Sequence, residues 1–85
     1  MSALPLEGIR VLDLGISTAG PYAARFLGDL GAEVIKVEPL EGENSRSLGL
    51  RFGDVGYLFH VNNYNKKSIG LKVQHPSGRA IFLDL

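Results

Sequence analysis

Residues 9–38 decide the fold: Ile9-Arg10-Val11-Leu12-Asp13-Leu14, a loop from Gly15 to Gly20, a segment from Pro21 to Leu30, and then Glu33-Val34-Ile35-Lys36-Val37-Glu38. The first and last pieces are short and rich in branched apolar residues, and each stops at a breaker, Gly15 or Pro39, as strands do. Only Arg10 and Asp13 interrupt the first strand, which suits burial on both faces of a parallel sheet. Between the strands, Ala23, Phe26, Leu27 and Leu30 recur at helical spacing and form one apolar stripe. Gly20 suits the N-cap and Pro21 the first helical position, where no backbone N–H is needed. Gly31 suits the end of the helix. Gly28 inside it costs about 1 kcal/mol against alanine and marks a close approach of helix to strand. A strand–helix–strand unit of about 30 residues with short connections predicts parallel strands and a right-handed crossover, hence an α/β fold.

Outward from this unit, residues 39–55 are rich in glycine and polar residues and read as a long loop. Tyr57 to Val61 is a short apolar segment that suits helix or strand equally. Ser68-Ile69-Gly70-Leu71-Lys72-Val73 alternates and reads as a third strand. His75-Pro76 opens a last helix, whose amphipathic pattern runs to Leu85 without a capping signal, so the segment reads as the front of something longer.

With 85 residues the chain holds at most one small domain, and one of this size buries only about 60–65% of its unfolded surface. It has no cysteine, so neither disulfides nor thiolate–zinc sites are available to staple it. Nine basic residues balance nine acidic ones, so no overall field draws the chain to nucleic acid or to an acidic membrane. No apolar run approaches the roughly 20 residues of a transmembrane helix, and the N-terminus lacks the basic and apolar regions of a signal peptide. The expected compartment is the cytoplasm. Charge is unevenly divided: residues 1–43 hold three cations and seven anions, residues 44–85 six cations and two anions. Either the second half presents a basic face to an anionic ligand, or the two halves pair.

Four features bear on chemistry. The Gly15–Gly20 loop between strand and helix is a place where backbone N–H groups favour a phosphate, and Glu38, about 20 residues on, stands where an acid can bind ribose. The glycine spacing of dinucleotide folds is absent, so a tight turn without ligand is the competing reading. Asn62-Asn63-Tyr64-Asn65-Lys66-Lys67-Ser68 concentrates amides, ammonium groups and a hydroxyl that suit phosphates or, equally, a polar turn. His60 and His75 have no second histidine at metal spacing, which predicts no metal site, and His75 before Pro76 reads as a helix-start residue rather than a base. Asp13, Asp29, Asp54 and Asp84 form no evident catalytic pair, and Ser17 and Thr18 have no base partner.

The ordered series Pro5-Leu6-Glu7-Gly8-Ile9-Arg10-Val11-Leu12-Asp13-Leu14, Ala19-Gly20-Pro21, Leu27 to Glu38, Asn63-Tyr64-Asn65-Lys66-Lys67-Ser68 and His75-Pro76-Ser77-Gly78-Arg79 resembles the N-terminus of the family III CoA-transferases. Formyl-CoA transferase and carnitine CoA-transferase belong there, and alpha-methylacyl-CoA racemase is similar. The resemblance covers nearly all of residues 1–85 and implies an N-terminal, truncated piece of a Rossmann-like large domain. It implies coenzyme A, as acyl-CoA, for the substrate, no metal, and homodimers interlocked like two linked rings. In the family a carboxylate attacks the thioester to give a mixed anhydride and then an aspartyl-CoA thioester, which is covalent catalysis. That aspartate lies beyond residue 85 and no aspartate here matches it, so no catalytic residue is carried over, and the chain alone is expected to be inactive. The family's CoA contacts fall, by motif, on Thr18, Ala19, Pro39, Leu71, Lys72, Val73 and Gln74. Two of these depart from the family pattern: Pro39 stands where arginine is frequent and Lys72 where aspartate is common. Other readings are a free-standing CoA- or nucleotide-binding module without catalysis, or a fragment of an acyl-CoA racemase.

Overall fold

A computed structural model describes residues 3–16, 18–47, 50–53 and 55–85. The expectations placed on Ser17 and Asp54 lie outside the described residues. Three parallel strands form the main sheet in the order β1 (Arg10–Asp13), β2 (Glu33–Glu38), β5 (Lys67–Gly70). Helix α1 (Ala19–Asp29) links β1 to β2. The connection from β2 to β5 contains a 3-10 turn (Asn44–Ser47), a small antiparallel hairpin of β3 (Arg51–Phe52) and β4 (Val55–Gly56), and helix α2 (Tyr57–Asn63). Helix α3 (Pro76–Asp84) closes the described chain.

The strand–helix–strand unit stands as expected, and Gly31, with φ +108°, ends the helix. Helix α1 nonetheless begins two residues earlier than its glycine and proline suggested, so Gly20 lies inside it and Pro21 in its first turn. Proline is tolerated there because the first four N–H groups of a helix have no internal acceptor anyway. The third strand ends at Gly70, not Val73, and Leu71–Gln74 leave the sheet. The stretch read as one loop, residues 39–55, contains the 3-10 turn and the hairpin, and Tyr57–Val61 belongs to a helix.

The buried face of α1 also differs from the apolar stripe. Pro21, Ala24 and Gly28 face the sheet, whereas Phe26, Leu27 and Leu30 are exposed. Small residues win because they let the helix axis come close: a Cβ on Gly28 would lie 3.3 Å from Val34 Cγ2. Around that contact Ala24, Ala32 and Val34 form the apolar core, with Leu6 and Val11 packed against it.

Strand β1 is not buried on both faces. Arg10 is exposed, Val11 and Leu12 are half-buried, and Asp13 is the residue that is fully covered. Since side chains alternate along a strand, the register puts Val11, Asp13, Val34, Lys36, Glu38 and Ser68 on one face of the sheet. Half of that face is therefore ionic. On the opposite face Glu33 takes Arg10 and Lys67 at 2.6 Å each, two open ion pairs that add little stability.

Candidate functional site

Strands β2 and β5 end together and β1 two residues before them, and three adjoining clefts open beyond their carboxyl ends, where ligands bind in open α/β sheets; two of these hold the residues expected from sequence. The wider, of about 370 Å³, lies between Pro39, Leu40 and Glu41 on one side and Lys72 and Gln74 on the other. The narrower, of about 180 Å³, continues from Pro39 and Gln74 past Leu71 and Val73 to Leu14 and Ile16. Five of the seven residues expected from sequence thus meet here: Pro39, Leu71, Lys72, Val73 and Gln74. Thr18 and Ala19 do not line either cleft. They are exposed at the start of α1, shortly after Ile16.

Two buried charged clusters lie behind the clefts. Behind the first loop, Asp13 Oδ1 accepts the Gly15 N–H at 2.8 Å and its Oδ2 accepts from Lys66 Nζ at 2.7 Å. Lys66 places its other protons on Pro21 O at 2.9 Å and Asn63 Oδ1 at 2.7 Å, which satisfies all three. Lys36 Nζ donates to Gly15 O at 3.2 Å and stands 3.7 Å from Asp13 Oδ2. These bonds tie the end of β1, the following loop, the first turn of α1 and the end of α2 into one unit. Burial lowers the Lys66 pKa, and the bond from its ammonium to Asp13 opposes that shift. Gly15 and Gly20 are accounted for by their mutual approach, since a Cβ on Gly15 would lie 2.9 Å from Gly20 Cα.

Behind the Pro39–Glu41 turn, Glu38 Oε1 accepts from Arg46 Nε at 2.6 Å and from the Glu43 N–H at 2.9 Å. Its Oε2 accepts from Arg46 Nη2 at 2.7 Å and from the Ser68 hydroxyl. The Arg46 guanidinium above all, then Ser68 and the Glu43 amide, hold the Glu38 carboxyl at about 2, against the opposing pull of burial. Glu43 in turn accepts from the amide and hydroxyl of Ser45.

These clusters decide three readings that the sequence left open. Glu38 borders the narrower cleft, yet it is buried and both its oxygens are saturated by protein donors, so it offers none to a ribose. Lys66 and Asn63 are spent on the Asp13 cluster, so the polar groups that face inward from residues 62–68 form a junction within the protein rather than a phosphate cradle. Three of the six cations of the second half pair with anions of the first: Arg46 with Glu38, Lys66 with Asp13, Lys67 with Glu33. Lys72 is exposed, has no ion pair among the described residues, and stands in the wider cleft. His75 caps α3 as expected, its Nδ1 accepting the Ser77 N–H at 3.1 Å. Sequence reasoning missed the lining role of Leu14, Ile16, Leu40 and Glu41 and the roles of Lys36 and Arg46 behind the walls. The one available signal was the charge lodged inside apolar strands, at Asp13, Lys36 and Glu38.

A family model for CoA-transferase family III matches residues 6–85. The chain belongs to this family. Among curated family relatives, succinyl-CoA:glutarate CoA-transferase of Mus musculus is 48% identical over 86 residues, covering 99% of this chain and 20% of the mouse protein. The succinyl-CoA–L-malate CoA-transferase alpha subunit of Chloroflexus aurantiacus is 44% identical over 85 residues, covering 96% and 20%. A crystal structure of a CaiB/BaiF family protein from Brucella suis superposes with a TM-score of 0.85 at 35% identity, covering 95% of this chain and 23% of that one. A hypothetical protein from Mycobacterium tuberculosis gives 0.86 at 40% identity, covering 96% and 22%. The chain spans about a fifth of the length of the curated relatives it matches. No described helix is long and apolar enough to cross a membrane.

Proposed function

We propose that residues 1–85 form the N-terminal, CoA-binding part of an enzyme that moves coenzyme A between an acyl-CoA and a carboxylic acid. The observation that carries this reading is the meeting of Pro39, Leu71, Lys72, Val73 and Gln74 at the carboxyl ends of three parallel strands. Membership of the CoA-transferase family gives the ligand class.

In this reading Lys72 meets a phosphate of CoA at the mouth of the wider cleft, as a point charge with three donors. Pro39 offers no donor, so the cation on this stretch of the site is supplied from the segment after β5 instead of from the turn after β2. Leu71 and Val73 form the apolar floor of the narrower cleft, Gln74 offers an amide to either cleft, and Thr18 and Ala19 receive the ligand beyond Ile16. The family's reacting residue is an aspartate, and in this reading it comes from outside these residues: the described aspartates Asp13 and Asp29 are bonded to Lys66 and Tyr64, and Asp84 lines neither cleft.

Titration calorimetry with coenzyme A tests the reading. Saturable binding is expected, weakened about tenfold by Lys72→Glu, while 4′-phosphopantetheine, which lacks the nucleotide, binds less tightly. A flat CoA titration, or equal affinity in the Lys72 variant, would refute it. The 85-residue chain by itself is expected to exchange no CoA between succinyl-CoA and glutarate.

A further inference from the structure

Arg46 lines neither of the two clefts described above but a third opening, of about 370 Å³, that shares the Pro39–Glu41 turn with them; yet both walls depend on the residue it holds. Its two parallel bonds to Glu38, at 2.6 and 2.7 Å, use the planar fork that only guanidinium offers. The same guanidinium lies 3.9 Å over the Phe59 ring of α2. Glu38 is only 4% exposed and immediately precedes the wall turn. That turn closes through the bond from the Gly42 N–H to Pro39 O at 2.9 Å, and then through the Glu43 N–H onto the Glu38 carboxylate. Gly42, with φ +91°, passes so close that a Cβ there would lie 2.9 Å from Arg46 Cδ. The opposite wall begins at Leu71, whose N–H donates to Glu38 O at 2.8 Å. Glu38 therefore anchors both sides of the opening, and Arg46 anchors Glu38 to α2.

We infer that Arg46 is a positioning residue: by gripping Glu38 and resting on Phe59 it fixes the gap between the Pro39–Glu41 turn and the Leu71–Gln74 segment, and so sets the affinity of a cleft that it does not itself line. The geometry stands apart from the CoA reading, whereas the statement about affinity rests on it.

The test compares the chain with Arg46→Lys, which keeps the charge and loses the fork, and with Phe59→Leu, which removes the ring beneath the guanidinium and leaves the ion pair. Two quantities are read: amide hydrogen exchange by NMR and CoA affinity by calorimetry. In Arg46→Lys the amides of Gly42, Glu43 and Leu71 are expected to exchange about tenfold faster while the β1–β2 amides change less than about twofold. CoA affinity falls about five- to tenfold, because a wall that must be ordered on binding costs affinity. Phe59→Leu gives the same local pattern at smaller amplitude and decides the matter if Arg46→Lys fails to fold. Lys72→Met serves as the contrast, weakening CoA while leaving exchange unchanged. Unchanged exchange at the three amides, or a uniform rise across the sheet, overturns the proposal, as does an Arg46→Lys chain with faster local exchange and undiminished CoA affinity. If the unsubstituted chain binds no CoA, the CoA reading fails, and the exchange pattern alone decides whether Arg46 positions the walls.

Discussion

Asp13 faces two buried ammonium groups, Lys66 at 2.7 Å and Lys36 at 3.7 Å, and all three side chains are at most 3% exposed. Asp13→Asn keeps the shape and removes the charge. Both ammonium nitrogens approach the same oxygen, so they are about 6 Å apart at most, where an effective dielectric near 20 gives roughly 3 kcal/mol of repulsion. That matches the loss of about 3–5 kcal/mol seen when one member of a buried pair is removed. An 85-residue domain has about 4–13 kcal/mol in all, so the variant is expected to be barely folded. The chain has no tryptophan, and urea unfolding is best followed by far-UV circular dichroism. With a slope of about 1 kcal/mol per molar urea, the midpoint should fall by about 3 M or more. The decisive step is to add Lys36→Met to Asp13→Asn. The second substitution removes the bond from Lys36 to Gly15 O, yet it also removes one of two uncompensated cations and places an apolar chain of similar length in a fully covered site. The double variant is expected to be about 2 kcal/mol more stable than Asp13→Asn alone. A double variant less stable than the single one would refute the view that charge balance governs this core.

Gly78→Ala should destabilise the chain although alanine favours helix, because its Cβ would lie 1.9 Å from the backbone oxygen of Lys72. The strain of about 1–3 kcal/mol outweighs a helix gain near 1 kcal/mol, and calorimetry should show a lowered Tm together with weaker CoA binding. Acid should loosen the second cluster. The Glu38 carboxyl sits at about 2 in the folded chain against an ordinary 4.5, so the unfolded state takes up the proton first. Its contribution, of order 3 kcal/mol, is full above about pH 5 and is lost as pH falls towards 2. Glu38→Gln should flatten that part of the stability–pH curve, and an unchanged slope would contradict the assignment. Finally, Ala24→Leu should cost more than about 2 kcal/mol by overpacking, whereas Phe26→Gln on the exposed face of α1 should cost less than about 1 kcal/mol, chiefly its edge contact with Tyr22 at 4.8 Å. The reverse order in urea midpoints would restore the stripe as the buried face.

By itself the sequence determined the parallel strand–helix–strand unit, because branched apolar runs, Gly31 and Pro39 act locally and need no partner to be read. It also carried the family, through motifs spread over most of the chain, and five of the residues that the structure brings to the clefts. Tertiary structure decided which face of α1 is buried. Hydrophobicity favoured Phe26 and Leu30, but the sheet accepts Ala24 and Gly28 because helix and strand can then approach closely. It decided that Tyr57–Val61 is helical, since a short apolar run has no period long enough to choose. It alone revealed that Asp13, Lys36, Glu38, Arg46 and Lys66 are paired struts and that Lys72 is a cation in the cleft without an ion pair among the described residues. Ion pairing across separations of up to 53 residues is a matter of distance in space, and nothing in the order of residues along the chain fixes which charge meets which.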